Sequence, residues 1–177
     1  MNREGGGLIA VAGTSGRISE LDLEYRGLPM NSLGNTWYGV TIDSLRGTTT
    51  GASAADRAVT IRMFADETVK ESDFAKPGHV TTLKALDGGV LSRAGHTEAS
   101  VDLMRLAGLK PAGVLATIMN PDGSIAGLSY IRELAGKHNF PLLSIRDIIE
   151  YRRMREKLVE CVVSVSFPTK FGTFELK

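Results

Sequence analysis

A layered α/β domain is the fold class that the sequence predicts, and three observations support it. Short apolar or β-branched runs, typical of strands, alternate along the chain with segments that begin at helix-capping patterns. The 177 residues are enough for one domain with a substantial core. Hydrophobic residues make up 42% of the chain and charged residues 23%, as is usual for a soluble globular protein.

Charge and cysteine content exclude several kinds of protein. The formal net charge of +1 gives no strong field towards nucleic acid or a membrane, whereas a small anionic ligand needs only a local site. A single cysteine, Cys161, allows neither a disulfide framework nor a cysteine zinc site within the chain. No apolar run reaches transmembrane length. A cytoplasmic location is expected, or the plastid stroma for a plant or algal protein.

The first half of the chain is predicted to contain three strands and two helices. The strands are expected at residues 8–12, 37–43 and 80–85. After a turn at 13–17, Ser19 has capping-box spacing to Asp22 and is expected to open a short helix that Gly27 ends. Ser53 and Asp56 predict the second helix in the same way. Residues 30–36 are expected to form a polar loop and residues 76–79 a turn.

The second half begins with a helix expected behind Thr97, with an apolar face and a stop at Gly108. The apolar face comprises Leu103, Leu106 and Ala107. Further predicted elements are a strand at 111–118, a turn at 120–123, a helix at 129–138, a strand at 141–143, a helix opened by the Ser144–Asp147 capping box, and a strand at 161–167. Pro168 is expected to break the last strand.

The segment 93–97 (Arg-Ala-Gly-His-Thr) predicts an anion-binding helix start. Thr97 is the expected N-cap, and the unpaired N–H groups of the first turn would face a ligand in front of the helix. With the Arg93 guanidinium and a hydroxyl they would bind a phosphate ester, and His96 would stand beside it as metal ligand or proton carrier. The alternative is a polar helix start with Arg93 in a surface salt bridge.

Two further groups of polar residues have open interpretations. Thr48, Thr49 and Thr50 lie between two glycines and place hydroxyls on an exposed turn. They either bind a polyol or phosphate or are ordinary β-branched turn residues. His79 stands alone in the sequence, and such a histidine is more often a hydrogen-bonded structural residue than a catalyst.

Seven motifs taken together carry a family resemblance. They are Gly-Leu-Ile at 7–9, Thr-Thr-Gly at 49–51 with Ser-Ala-Ala-Asp-Arg at 53–57, Pro-Gly-His-Val at 77–80, Gly-Gly-Val-Leu at 88–91, Arg-Ala-Gly-His-Thr-Glu-Ala at 93–99, Leu-Ala-Gly-Leu at 106–109 and Pro-Ala-Gly-Val at 111–114. In this order the set resembles the 3,4-dihydroxy-2-butanone 4-phosphate synthase family of riboflavin biosynthesis. The resemblance implies a synthase-like domain at 1–157. Residues 158–177 look like a linker and the first strand of a truncated GTP cyclohydrolase II domain.

The resemblance also implies a fold and a reaction. The family fold is an α-β-α sandwich around a mixed sheet, and the reaction converts ribulose 5-phosphate to 3,4-dihydroxy-2-butanone 4-phosphate and formate with Mg²⁺ or Mn²⁺. His96 would be a catalytic residue and metal ligand, and a homodimer or a heterodimer with a paralogue is expected. The substrate-binding residues implied are Arg93, Ala94, Gly95, His96, Thr97, Thr49, Thr50 and His79.

The sequence departs from the family at three points. The family has an acidic loop before the first strand, which supplies a metal carboxylate and an acid–base group, and its absence here predicts an N-terminally truncated domain. Thr117 stands where the family has a catalytic Glu, and a hydroxyl cannot abstract a proton near neutral pH. Ala10 stands where many members have Cys. These departures leave two hypotheses: a working synthase, or an inactive synthase-like module that binds sugar phosphate or a partner.

Overall fold

A mixed four-stranded sheet in the order β2–β3–β1–β4 forms the centre of the fold. The computed structural model describes residues 6–25, 36–158 and 160–176. The strands are β1 (Gly6–Gly13), β2 (Trp37–Ser44), β3 (Phe74–Lys84) and β4 (Ala112–Ile118). β1 runs parallel to β3 and antiparallel to β4, and β2 runs antiparallel to β3. The predicted α/β fold with a mixed sheet is therefore confirmed.

Helices cover both faces of this sheet. They are α1 (Ser15–Glu20), α2 (Ala54–Ala65), α3 (His96–Leu106), α4 (Leu128–His138) and α5 (Ile145–Arg155), with 3₁₀ turns at Glu71–Asp73 and Gly89–Leu91. Among the helices in the described ranges, none is long and apolar enough to cross a bilayer.

Two apolar clusters hold the helices to the sheet. On one face Ile18 of α1 and Phe64 of α2 pack against Val11 of β1. On the other face Val101 of α3 packs against Ala10. Burial of a side chain such as Phe64 stabilises the fold by about 1.5–3 kcal/mol. A third cluster packs α5 on the outer side of α3, so the layers are helix, sheet, helix and a further helix.

The first helix differs from its prediction. It begins at Ser15, inside the predicted turn, and Thr14 caps it by accepting a hydrogen bond from the Arg17 backbone N–H at 3.1 Å. Ser19 is an interior residue of this helix and does not open one. The reason is a tertiary contact, because Arg17 Nε donates to the Phe64 carbonyl at 2.9 Å and so ties α1 to the end of α2. The predicted end at Gly27 and most of the loop predicted at 30–36 lie outside the described residues.

Helix α3 also differs from its prediction. Gly95, and not Thr97, is its N-cap, and no side chain caps it. The predicted apolar face is not the buried one, because Leu103 and Leu106 are exposed whereas Glu98 and Asp102 are buried. The polar residues are buried since each has a cationic partner inside the fold: Arg93 for Glu98 and Arg152 for Asp102.

The C-terminal region contains two strands where one was predicted. The predicted strand at 161–167 begins only at Val165, continues through Pro168 as β5 (Val165–Thr169) and pairs with β6 (Gly172–Leu176). Pro168 is tolerated because a two-stranded ribbon has only edge positions. Both strands are exposed along their length and not half-buried. Residues 141–143 do not form the predicted strand.

Candidate active site

A bulge in β3 presents His79. Ile42 of β2 pairs with Val80, but the next residue, Asp43, pairs with Ala75, so residues 76–79 lie outside the ladder. The turn predicted at 76–79 is therefore wrong, because these residues bulge within one continuous strand. The bulge is held by two hydrogen bonds to β2: Gly78 N–H donates to Thr41 Oγ1 at 3.1 Å and His79 N–H to Asp43 Oδ1 at 3.0 Å.

The Asp43 carboxylate contacts His79 a second time. Its Oδ2 lies 2.6 Å from the ring Nδ1 of His79. Asp43 is buried, whereas the side chain of His79 is 50% exposed. The imidazole is thus held through Nδ1 by a buried carboxylate, while half of the side chain stays accessible to solvent.

The threonine-rich loop lies against the same carboxylate. Gly51 has φ +84°, a conformation that favours glycine, and a Cβ at this position would collide with the Asp43 carboxylate. The Asp56 carboxylate fixes the loop through three hydrogen bonds. It accepts from the Thr49 N–H at 3.1 Å, the Thr49 hydroxyl at 2.8 Å and the Gly51 N–H at 3.2 Å. The loop and His79 are therefore neighbours, as expected of residues that share a site.

The two threonines predicted to bind substrate have different surroundings. The Thr49 hydroxyl donates to Asp56, and this hydrogen bond is the main cause that lowers the pKa of the Asp56 carboxyl. Thr50 is exposed beside it. Asp56 was predicted only as half of a capping box. Its partner Ser53 does cap α2 by accepting from the Asp56 N–H, whereas the Asp56 carboxylate turns to the loop.

At the start of α3, Arg93 is bound by Glu98. Arg93 Nε donates to Glu98 Oε2 at 2.9 Å, and Glu98 Oε1 accepts the Leu86 backbone N–H at 3.1 Å. Glu98 is fully buried, and Arg93 keeps 21% of its side chain exposed. The surface salt bridge considered as an alternative is therefore a partly buried pair. A Cβ at Gly95 would lie 2.6 Å from Glu98 Oε2, so this glycine lets the backbone pass close to the pair.

The other residues of this segment differ in exposure. His96 is exposed at the first helical position, and Ala94 is also exposed. Thr97 is buried, which leaves its hydroxyl little access to solvent. The N-cap Gly95 has no side chain to cap the N–H groups of the first turn of α3. The predicted anion site at this helix start stays a prediction, and Thr97 is not the cap that was expected.

Sheet topology places Thr117 near the Asp43–His79 pair. Ala10 pairs with Thr81 on one side and Leu115 on the other, so His79 and Thr117 lie two residues towards the same end of the sheet. One strand separates them, which corresponds to roughly 10 Å between backbones. Thr117 is exposed. The start of α3 lies at the other end of the sheet, because Glu98 contacts Leu86 directly after β3 and Arg93 contacts Thr36 directly before β2.

The described residues do not by themselves fit a divalent metal ion. Within the described ranges, no three side chains of His, Cys, Asp or Glu are grouped as a metal site. The nearest acid to His96 along α3 is Glu98, which is turned inward to Arg93 and Leu86. Mg²⁺ and Mn²⁺ prefer oxygen ligands, and carboxylates supply most of these in proteins. No step of a reaction is therefore assigned to a metal here.

Three residues that shape this site were missed by sequence reasoning. In the sequence Asp43 is only part of a predicted strand, Glu98 only part of the helix expected behind Thr97, and Gly51 only one of the two glycines that flank the threonines. Two features of the sequence point to these acids. One acid lies in a strand otherwise rich in β-branched and aromatic residues, and the other lies in the first helical turn behind an arginine. Neither identifies its partner, because the Asp43–His79 contact spans 36 residues.

A histidine–carboxylate pair and a cation-bearing helix start, both on an α-β-α sandwich, are features found in enzymes that act on small anionic molecules. The family model of 3,4-dihydroxy-2-butanone 4-phosphate synthase matches residues 1–151. The chain belongs to this family, whose members are lyase-type enzymes of riboflavin biosynthesis.

Relatives in other organisms agree with this assignment. The riboflavin biosynthesis protein RibBA of Aquifex aeolicus (strain VF5) is 50% identical over 179 residues, which cover 99% of this chain and 44% of the relative. The 3,4-dihydroxy-2-butanone 4-phosphate synthase of Pseudoalteromonas translucida (strain TAC 125) is 48% identical over 90% of this chain and 73% of the relative. The chain thus spans less than half the length of the RibBA relative.

Solved structures of the family share the fold. RibBX of A. baumannii, a two-domain 3,4-dihydroxy-2-butanone 4-phosphate synthase, superposes with a TM-score of 0.89 at 38% identity, over 99% of this chain and 52% of that one. A 3,4-dihydroxy-2-butanone 4-phosphate synthase in complex with two magnesium ions gives a TM-score of 0.81 at 34% identity, over 90% of this chain and 79% of that one.

Proposed function

We propose that the chain converts ribulose 5-phosphate to 3,4-dihydroxy-2-butanone 4-phosphate and formate. The observation that carries this proposal is the match of the synthase family model over residues 1–151. The Asp43–His79 pair and the start of α3 supply a histidine and a cation for a reaction that begins with proton abstraction from a sugar phosphate. Within one chain the two lie at opposite ends of the sheet, so a second subunit would bring them to one substrate.

The substrate phosphate is assigned to the start of α3. The Glu98 carboxylate orients the Arg93 guanidinium at this helix end, and the uncapped N–H groups add the positive end of the helix dipole. Arg93, Ala94, Gly95 and His96 frame this anion site. Thr97 contributes through its backbone, because its side chain is buried.

The proton of the first step is assigned to His79. The carbon next to the ketone of ribulose 5-phosphate loses a proton to form an enediol, and a neutral imidazole nitrogen accepts it. Nε2 of His79 suits this role because Asp43 occupies Nδ1 and the side chain is half exposed. Thr49 and Thr50 lie in the loop beside this pair, and both are exposed, although the Thr49 hydroxyl is bonded to Asp56.

The proposal includes Mg²⁺ or Mn²⁺, a second subunit and a second domain. His96 would supply one metal ligand, and the described residues add no carboxylates to it. A homodimer, or a heterodimer with a paralogue, would bring further residues to the exposed side of His79. The linker and hairpin at 158–177 are proposed as the start of a GTP cyclohydrolase II domain, in keeping with the RibBA relatives.

A second candidate function is a synthase-like module that binds ribulose 5-phosphate without turning it over. Thr117 favours this candidate, because the family Glu at this point is a catalytic carboxylate and a hydroxyl does not replace it. A missing general base typically lowers the rate by a factor of about 10² to 10⁴.

Formate release and substrate binding distinguish the two candidates. The purified chain is incubated with ribulose 5-phosphate and Mg²⁺, and formate is measured with a formate dehydrogenase assay, while binding is measured by calorimetry without turnover. A rate of formate release above that of a His79→Asn variant supports the synthase. Binding without formate supports the module, and neither binding nor formate excludes both.

A further inference from the structure

We infer that Asp43 is a positioning residue that sets the tautomer of His79, placing the proton on Nδ1 and leaving Nε2 as the proton acceptor. This inference deepens the proposed function and rests on it for its kinetic consequence. Its structural part, the tautomer, stands on the geometry of the bulge alone.

The two contacts of the carboxylate leave one arrangement of protons. Asp43 Oδ1 accepts the backbone N–H of His79 at 3.0 Å, and Oδ2 faces the ring Nδ1 at 2.6 Å. An ionised carboxylate only accepts hydrogen bonds, so the neutral ring must carry its proton on Nδ1. Nε2 then has a lone pair, on a side chain that is 50% accessible.

Asp43 is itself fixed from both sides. It lies on β2 directly after the buried core residue Ile42, and Gly51 packs against its carboxylate. Gly51 is held in turn by Asp56, which accepts the Gly51 N–H. A rigid carboxylate behind an imidazole fixes the ring orientation as well as its proton, as the third member of a catalytic triad does.

Replacing Asp43 by asparagine inverts the arrangement. The His79 backbone N–H is always a donor, so the single amide oxygen of the asparagine side chain must turn towards it. The amide nitrogen then faces Nδ1, which has to accept, and the ring proton moves to Nε2. The variant keeps the shape of the side chain but removes the lone pair from the exposed nitrogen.

The test is a two-bond ¹H–¹⁵N correlation NMR spectrum of the histidine rings. It is recorded at several pH values so that the neutral rings are observed. The chain has three histidines, and His→Asn variants at the other two positions assign the signals. The inference predicts protonated Nδ1 and unprotonated Nε2 for His79, with the reverse in Asp43→Asn. It also predicts that kcat for formate release falls roughly 10²- to 10⁴-fold with a small change in KM.

Two controls separate positioning from folding. Thr41→Val removes the other hydrogen bond to the bulge, at Gly78, and should lower stability while His79 keeps its tautomer. Asp66→Asn removes a carboxylate at the far end of α2 and should leave both tautomer and rate unchanged. A His79 with its proton on Nε2 in the unaltered chain, or an unchanged tautomer in Asp43→Asn, overturns the inference. Because the spectra do not depend on turnover, an inactive chain contradicts the proposed function and leaves the tautomer as the deciding measurement.

Discussion

At the scale of single residues, carboxylates bind the groups that this site presents. Asp43 holds His79, Asp56 holds the threonine loop, and Glu98 holds Arg93. All three are buried, and each accepts at least one backbone N–H as well as its side-chain partner. Buried charges with full sets of partners define one geometry, because any displacement leaves a charge unpaired.

Glu98→Gln tests this at the helix start. Glutamine can still accept the Leu86 N–H through its oxygen, but its amide group then meets the Arg93 Nε–H donor to donor. We expect the free energy of unfolding to fall by about 3 kcal/mol, measured by urea titration. We also expect ribulose 5-phosphate to bind at least about tenfold more weakly by calorimetry, because Arg93 loses its orientation.

Glu133→Gln is the matched control for this variant, because it is the same substitution at an exposed position of α4. It should alter neither quantity. Equal effects of the two substitutions would mean that Arg93 is not oriented by Glu98. Unchanged binding in Glu98→Gln would remove Arg93 from the anion site.

At the scale of elements, α5 is fixed to α3 by an ion pair beneath an apolar contact. Arg152 Nη1 donates to Asp102 Oδ2 at 2.8 Å and to the Gly88 carbonyl at 2.9 Å. The Glu156 and Asp102 carboxylates raise the pKa of the Arg152 guanidinium further above its ordinary value. Asp102 is 2% exposed, so it depends on this cation and on the Val90 N–H for its hydrogen bonds.

Arg152→Met should therefore destabilise the fold by about 3 kcal/mol, because it leaves the buried Asp102 charge with only the half-exposed Arg105 of the described cations, at 3.8 Å. The measurement is the urea midpoint at pH 7. Arg146→Met is the control on the same helix: Arg146 is 84% exposed and pairs with the exposed Glu150, so its loss should leave the midpoint almost unchanged. A smaller effect for Arg152→Met than for Arg146→Met would contradict the role of this ion pair.

Elements with local signals were predictable, and those that depend on tertiary contacts were not. The Ser144–Asp147 capping box opens α5 as predicted, because both of its hydrogen bonds lie within four residues. The start of α1 was not predictable, since Arg17 reaches Phe64 across 47 residues. In the same way, segment 93–97 could be identified as a helix start. The buried role of Glu98, and the bulge that presents His79, needed the fold.

At the scale of the whole molecule, acid should unfold the chain. The folded state lowers the pKa of six carboxyls by hydrogen bonds or cations. These are Asp56, Asp66, Asp73, Asp122, Asp147 and Glu156. Their folded pKa values lie below the unfolded ones, so the stability they contribute is full above pH about 5 and is lost as pH falls through the folded values.

The urea midpoint is accordingly expected to be level from pH 7 to about 5 and to fall steadily between pH about 5 and 2. Asp56→Asn should lower the midpoint at pH 7 and flatten part of this acid slope, because Thr49 and Gly51 lose their ionised partner. A midpoint that stays constant down to pH 3 would contradict the assigned shifts.

Formate release with and without a carboxylate at position 117 measures most directly whether this site turns over substrate. The chain should release formate from ribulose 5-phosphate at a low rate. Thr117→Glu should raise kcat by a factor of about 10² to 10⁴, since it restores a general base at the sheet end that holds His79. The contradicting result is a chain that binds ribulose 5-phosphate yet releases no formate in either form.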